Sequence, residues 1–194
     1  MKTSGKPVIV AAKMILFFTI LTGLIYPLMI TCLAQVFFPG KANGSLVMKN
    51  GKVIGSELIG QQFKDSAYFW SRPSATEYGT IPAGGSNLGP TSSDLRKKVE
   101  ERRHEFIIAN RLDDKTPVPA DMLFASGSGI DPHISPQSAM MQVGRVVAFR
   151  KLSTDKAREL RSLVLKCTEE PQFSFFGEER VNVFMLNLEL DKLN

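Results

Sequence analysis

The chain has few of the side chains that build disulfide frameworks and zinc sites. Its 194 residues include two cysteines and two histidines. Cys32 lies in an apolar stretch and Cys167 lies far beyond it, so the pair predicts no disulfide framework. His104 and His133 belong to no Cys/His cluster, whereas structural zinc needs several such ligands close together. The sequence therefore predicts no metal site.

The two signs of charge are nearly balanced along the chain. The formal net charge is +5, and Lys2, Lys6 and Lys13 at the N-terminus account for much of it. The remaining excess is small and dispersed, whereas nucleic-acid-binding domains concentrate lysine and arginine on one surface. This pattern excludes nucleic acid as a predicted partner.

Residues 14–38 form a stretch without a charged side chain. About 20 apolar residues are enough to cross the hydrocarbon core of a bilayer as a helix, so the stretch predicts a membrane-spanning helix. A cleaved signal peptide is the first alternative, but its apolar core would be shorter and would end in a small-residue cleavage site. The buried core helix of a soluble protein is the second alternative.

Gly23, Tyr26 and Pro27 interrupt this apolar stretch. In lipid, each polar or helix-breaking group needs a partner, which a neighbouring helix supplies. We therefore expect these three residues to pack against other membrane helices rather than against lipid alone.

Lysines flank the stretch on both sides, at positions 2, 6 and 13 before it and at 41, 49 and 52 after it. Cytoplasmic flanks are rich in basic residues, and a long domain crosses the membrane largely regardless of its charge. Because the N-terminal flank is compact and lacks acidic residues, we predict a cytoplasmic N-terminus. The predicted organisation is a short basic cytoplasmic segment at 1–13, a transmembrane helix at 14–38 and an extracytoplasmic α/β domain at 39–194.

Strand and helix signals alternate beyond residue 38, which predicts an α/β (α+β) domain on a single N-terminal transmembrane helix. Asn50-Gly51 between two short apolar runs predicts a β-hairpin over 45–54, because a type I′ turn needs two positive φ angles. Apolar residues alternate over 181–190, which predicts a strand there.

Three helices are predicted from the residues that begin them. Thr91 with Asp94 three residues later is similar to a capping box. Ser135 before Pro136 supplies an N-cap and a proline at the first helical position. A further helix begins after Ser153.

Aromatic residues are densest at 68–73, a segment that includes the only tryptophan. Core packing is the favoured interpretation, because aromatic side chains bury large areas. The alternative is that Trp70 and Arg72 contact a partner, with Arg72 stacked on Trp70 or Tyr68 as a cation–π pair.

The segment 84–91 has nearly the spacing of a phosphate-binding P-loop: a glycine, four residues, a second glycine and a final threonine. Pro90 stands where the lysine that reaches the β- and γ-phosphates belongs, and proline also removes a backbone donor. What remains is a flexible loop before a helix N-terminus, where backbone N–H groups hold anions. The candidate anion or nucleotide residues are Gly84, Gly85, Ser86, Gly89 and Thr91.

A second loop over 125–136 brings two serines near an aspartate and a histidine. Ser126, Ser128, Asp131 and His133 suggest a Ser–His–Asp hydrolase. The segment lacks the G-x-S-x-G elbow, however, and closeness in sequence does not make a triad. We therefore expect His133 to hydrogen-bond locally, and we assign no catalytic residue.

Five segments, in this order along the chain, resemble the C subunit of the Kdp-type potassium-transporting ATPase. They are TGLIYP at 22–27, GKVIGSELIGQ at 51–61, FWSRPSA at 69–75, GGSNLGPT at 84–91 and ASGSGIDPHISP at 125–136. The segment 181–190 is also similar to the C-terminal strand of that family. The resemblance covers nearly the whole chain.

The resemblance implies a non-catalytic accessory subunit of a high-affinity, ATP-driven potassium importer in the inner membrane. Its implied partners are a channel-like potassium-translocating subunit, a P-type ATPase subunit and a small single-span subunit. It implies no firmly bound cofactor, although the family's role in raising the ATPase subunit's affinity for ATP makes 84–91 a candidate nucleotide loop. We expect partner or loop contacts at Trp70, Arg72, Asn87, Asp131 and His133.

Two other functions stay open at this stage. One is a membrane-anchored extracytoplasmic hydrolase that uses Ser126 or Ser128 with His133. The other is an adaptor for a different membrane complex.

Overall fold

The computed structural model describes residues 6–193, in which the chain forms two compact units with their boundary between Leu46 and Val47. Lys2, which we included in the predicted cytoplasmic segment, lies outside the described residues. The first unit is dominated by one long helix. The second unit holds the mixed helices and strands.

The long helix runs from Lys6 to Phe37 and has 32 residues. It consists of α1 (Lys6–Ile20), a π-helical turn (Leu21–Ile25) and α2 (Tyr26–Phe37). By length and composition it is able to cross a membrane, and its most apolar window is 0% buried. A core helix of a soluble protein would be mostly buried, so this exposure speaks against that alternative.

The π-helical turn contains Gly23 and ends two residues before Pro27. Proline has no N–H to donate to the carbonyl four residues earlier, so a regular α-helix cannot continue through it undisturbed. Instead, the Tyr26 N–H donates to Leu21 O, five residues back. The Thr22 hydroxyl donates to Phe18 O at 2.6 Å and satisfies a further carbonyl.

After a short helix, α3 (Pro39–Ala42), the predicted hairpin is confirmed as β1 (Leu46–Lys49) and β2 (Lys52–Ser56). Asn50 and Gly51 have φ angles of 52° and 74°. These are the two positive angles that a type I′ turn requires.

The predicted helices are α4 (Ser93–Asn110), α6 (Pro136–Arg150) and α7 (Thr154–Lys166), with a short α5 (Ala120–Leu123) between the first two. Ser135 and Ser153 are confirmed as N-caps, since their side chains accept the N–H groups of Ser138 and Lys156. The prediction of Thr91 for α4 was wrong. The N-cap is Ser92, whose side chain accepts the Leu95 N–H at 3.3 Å.

The prediction of a strand over 181–190 was wrong for most of its length. Only β5 (Arg180–Asn182) is extended, and α8 (Val183–Leu190) follows it. The Asn182 side chain accepts the Met185 N–H at 3.1 Å and so begins the helix. A short apolar run fits both the two-residue period of a strand and the 3.6-residue period of a helix, and here the residues buried at helical spacing favour the helix. The buried residues of α8 are Val183, Phe184, Leu186, Asn187 and Leu190.

The second unit is built on a small antiparallel sheet in the order β3-β5-β4, where β3 is His133–Ile134 and β4 is Thr168–Glu169. His133 is opposite Asn182, and Thr168 is opposite Val181. Helices α4, α6, α7 and α8 contribute buried apolar residues to one core with this sheet. The predicted α+β domain on one apolar N-terminal helix is confirmed.

Candidate functional site

The two glycine-rich loops, 78–90 and 125–136, lie against each other in the second unit. Gly129 has a φ of +74°, and a Cβ added there would lie 2.7 Å from Gly84 O. A Cβ on Gly85 would lie 3.4 Å from Gly127 O. Only glycine allows the two backbones to come this close at position 129.

Ser74 joins the loops to the segment that precedes them. Its hydroxyl donates to Gly129 O at 2.6 Å and accepts the N–H groups of Thr76 at 3.1 Å and Tyr78 at 2.9 Å. The Tyr78 hydroxyl donates to Arg72 O, and burial raises the pKa of Tyr78 to about 12. The loops are therefore held by hydrogen bonds that lie within the domain.

Arg72, Asp131 and His133 form one cluster, which we call the arginine–aspartate–histidine cluster. Arg72 Nη1 lies 3.2 Å from Asp131 Oδ2, and Asp131 Oδ1 accepts the His133 N–H at 3.0 Å. His133 Nδ1 lies 3.2 Å from the same Oδ1. The prediction that His133 bonds locally is confirmed.

The neighbours of Asp131 in the cluster stabilise its charged form. Burial alone would raise the pKa of Asp131, but the hydrogen bonds from His133 and the charge of Arg72 outweigh it and lower that pKa. The cluster lies at the edge of an open cavity of about 670 Å³. The other charged residues that line the cavity are Asp121, Glu178, Glu179 and Arg180.

The segment that follows the hairpin also packs on the second loop. The Gly60 N–H donates to Ile130 O at 2.8 Å, and a Cβ on Gly60 would lie 2.6 Å from Asp131 O. Asn182 Nδ2 donates to Glu57 O at 2.8 Å. The segments 51–61, 69–75, 84–91 and 125–136, which are far apart in sequence, thus meet in one region.

The aromatic segment is held by side-chain amides where a sheet would use a neighbouring strand. Asn187 accepts the Phe69 N–H at 2.8 Å and donates to Phe69 O at 3.0 Å. Gln142 accepts the Trp70 N–H at 2.7 Å and donates to Trp70 O at 3.3 Å. Each amide therefore satisfies both backbone groups of one residue.

Arg145 stacks on Trp70, with Cζ 4.2 Å from the ring centroid, and Arg150 lies over Tyr68 at 4.6 Å. The alternative that Arg72 forms a cation–π pair with one of these rings was wrong, because Arg72 instead pairs with Asp131. Arg145 is 2% exposed, and burial lowers its pKa to about 10. The cations that stack on Trp70 and Tyr68 therefore both come from helix α6.

The loop 84–91 is divided between a packed half and an exposed half. Gly84 and Gly85 are half-buried against the second loop, whereas Ser86, Asn87, Gly89 and Thr91 are exposed. Within residues 6–193, the segment between β2 and α4 contains no strand, so the strand that leads into a P-loop is missing.

The two candidate serines are not arranged around His133. Ser126 is 3% exposed, and the Ser128 hydroxyl accepts the Ile130 N–H at 3.2 Å. In the described part of the chain, no hydrogen bond joins either hydroxyl to His133, whose Nδ1 contacts Asp131. This geometry gives no support to a Ser–His–Asp triad.

The family described as "KdpC: K+-transporting ATPase, c chain" has a model that matches residues 8–192. The chain belongs to the KdpC family. A relative named "Potassium-transporting ATPase KdpC subunit" from Methylococcus capsulatus is 48% identical over 186 residues, covering 94% of this chain and 96% of its own length. A relative of the same name from Dechloromonas aromatica is 45% identical over 197 residues and covers 100% of both chains.

Gln142, Arg145 and Asn187 are the residues of this KdpC chain that the sequence analysis missed. They are 0%, 2% and 2% exposed, and all three hold the aromatic segment. A signal was present for Gln142 and Arg145, because each is a polar residue within the apolar stripe of a predicted helix, whereas Asn187 lies where the sequence predicted a strand. Such a residue is buried only with its hydrogen bonds satisfied, so it predicts a buried polar contact.

Proposed function

We propose that this chain is the accessory C subunit of an ATP-driven potassium importer. In this proposal it assembles with a channel-like potassium-translocating subunit, a P-type ATPase subunit and a small single-span subunit. Membership of the KdpC family supports the proposal, as does the unburied apolar helix Lys6–Phe37. The short basic N-terminus is cytoplasmic and the domain at 39–194 is extracytoplasmic.

The observation that carries an assembly role is the internal bonding of the two loops. Arg72, Asp131 and His133 are bonded to one another, and Ser74 is bonded to the loop backbone. Within residues 6–193, neither Ser126 nor Ser128 hydrogen-bonds to His133, so the cluster has no nucleophile to activate, whereas its internal bonds make a rigid surface. Rigid surfaces bind partners with little loss of conformational entropy. Asn87 in the first loop is exposed, so a partner can reach it.

In the membrane, we propose that the π-helical turn docks against another subunit. A Cβ on Gly23 would meet nothing within 4 Å in this chain, and Tyr26 is 57% exposed. A small residue beside an aromatic one and a proline offers close backbone approach to a neighbouring helix. Gly23, Tyr26 and Pro27 would form this contact.

Nucleotide involvement of the loop 84–91 is a separate proposal. It would have this chain raise the affinity of the ATPase subunit for ATP. Pro90 lacks the charge that a P-loop lysine supplies, and ATP is cytoplasmic whereas the domain is proposed to be extracytoplasmic. We therefore place assembly first.

The deciding experiment is affinity purification of the tagged chain from detergent-solubilised membranes, with its companions identified by mass. We expect a P-type ATPase and a multi-span channel-like protein in stoichiometric yield. Gly23→Leu should lower that yield, whereas Gly40→Leu serves as the control, because neither position has a neighbour within 4 Å in this chain. Recovery of the chain alone, under conditions that keep other complexes intact, would favour the adaptor or the hydrolase.

A further inference from the structure

The turn between β4 and β5 exposes three phenylalanines. Phe173, Phe175 and Phe176 are 82%, 70% and 60% exposed. Exposing so much aromatic surface is unfavourable in water, and contiguous apolar patches on a soluble surface usually mark interaction sites. We call residues 170–179 the phenylalanine turn.

The phenylalanine turn is ordered by its own backbone. Gln172 and Phe176 exchange two backbone hydrogen bonds of 2.9 Å each, and the Ser174 N–H donates to Pro171 O at 2.9 Å. Phe173 and Ser174 have φ angles of 55° and 64°, which reverse the chain tightly. The Phe175 and Phe176 ring centroids are 4.2 Å apart. The rings are therefore presented on a preorganised turn, which lowers the entropy lost when a partner binds.

The border of the phenylalanine turn is acidic although the chain as a whole is basic. Glu169 and Glu170 precede the turn's tip, and Glu178 and Glu179 follow it, against a net charge of +5 for the chain. Glu169 pairs with Arg180 at 2.9 Å. The other three glutamates leave negative charge around an apolar tip.

This charge pattern distinguishes a protein partner from a lipid surface. Segments that lie in the membrane interface join their apolar residues to lysine and arginine, which attract anionic headgroups. A glutamate border would be repelled by such headgroups. A narrow apolar tip with an acidic border instead matches an apolar pocket with lysine or arginine at its edge.

We propose that the phenylalanine turn inserts into an apolar pocket with a basic border on the extracytoplasmic surface of another subunit of the transport complex. The phenylalanines supply the buried contact, and the glutamates orient the two surfaces. This inference rests on the proposed function, because it assigns a contact within the same assembly.

The test uses the whole complex, purified from cells that produce all subunits, with photoreactive benzoyl-phenylalanine incorporated at position 175. We expect ultraviolet light to join this chain to another subunit, which mass spectrometry identifies. The control carries the same probe at position 149, where Phe149 is 56% exposed on α6. The yield of cross-linked product from position 175 should clearly exceed that of the control.

A second measurement uses the variant F173S/F175S/F176S. These side chains are largely exposed, so the domain should fold, and retained tryptophan fluorescence would verify this. We expect the chain to dissociate from the complex at least about tenfold faster than the wild type. The matched control is I108S/F149S/L165S, at sites that are 61%, 56% and 63% exposed. E178K/E179K should also weaken the complex, most at low ionic strength.

Cross-linking to lipid only, or no cross-link from position 175 in an intact complex, would overturn the inference. Equal dissociation rates for the serine variant and the wild type would also overturn it. Each of these results would be obtained with a complex that still assembles, so the proposed function would stand. If the wild-type chain recovers no companions, the proposed function fails first, so the two failures are distinguishable.

Discussion

Replacing the buried Arg145 with methionine should strongly destabilise the extramembrane unit. Methionine is also unbranched but has no donors, so it leaves three buried or half-buried acceptors without this partner and leaves Gln142 Oε1 with only the Trp70 N–H. The arginine donates to Ser66 O at 2.8 Å, Tyr68 O at 2.8 Å, Asn110 Oδ1 at 3.1 Å and Gln142 Oε1 at 2.6 Å. The cation–π contact with Trp70 is lost as well.

The expected magnitude follows from these losses. Each buried acceptor left unsatisfied costs about 1–3 kcal/mol, and relief of the arginine's own desolvation offsets part of the sum. The net loss should be about 3–5 kcal/mol, as for other buried polar networks that lose one member. Each kcal/mol lowers the Tm of a domain of this size by about 2–4 °C. We therefore expect a fall of about 6–20 °C.

The assay is thermal unfolding of the purified chain in detergent, followed by tryptophan fluorescence. Trp70 is the only tryptophan, so the signal comes from the ring that Arg145 covers. Arg145→Lys should give an intermediate Tm, because one ammonium group has three donors for four acceptors. The control is Arg158→Met, since the Arg158 side chain is 75% exposed. If Arg145→Met unfolds within about 1 kcal/mol of the control, the hydrogen-bond argument is refuted.

Two further predictions concern the loops. Gly129→Ala should lower the free energy of unfolding by about 2–4 kcal/mol, because the φ of Gly129 is +74° and the added Cβ would lie 2.7 Å from Gly84 O. In the control Gly127→Ala the added Cβ meets nothing within 4 Å, so the free energy of unfolding should change by less than about 0.5 kcal/mol. Denaturant titration measures both, and equal stabilities would contradict the close approach of the loops. Asp131 has a lower pKa in the folded state than its ordinary value of 3.8, so the stability it contributes is present above 3.8 and is lost as the pH falls through the lower folded value. Asp131→Asn should therefore lower the Tm at neutral pH and reduce the fall of Tm that acid causes. If the Tm of the variant and that of the wild type depend on pH in parallel, the contacts of Asp131 with Arg72 and His133 contribute nothing to stability.

Much of the fold was predictable because its signals are local. Asn50-Gly51 predicts its turn from steric preferences of two residues, and Ser135 and Ser153 predict helix starts from a hydrogen bond three residues away. The span predicted at 14–38 needs only the length of an apolar stretch. The error of one residue at Ser92 reflects two adjacent residues with equal capping chemistry.

The candidate site was predictable only in part. The loops 84–91 and 125–136 stood out by composition, but nothing local indicates that Gly129 meets Gly84. The sequence also could not predict which arginine stacks on Trp70. Arg72 is two residues away in sequence, whereas Arg145, which makes the contact, is on a distant helix. Such contacts depend on how whole elements pack, and sequence distance does not report this.

The amino-acid sequence alone thus determines the membrane helix, the hairpin turn and the helix starts, because each arises from interactions within a few residues. The helical state of 183–190, the contact between the two loops and the place of Arg145 follow from packing instead. Phe69 meets Asn187 across a sequence separation of 118 residues, and Trp70 meets Gln142 across 72. Burial in the shared core selects among conformations that local preferences leave nearly equal in free energy, so these features exist only once the chain has folded.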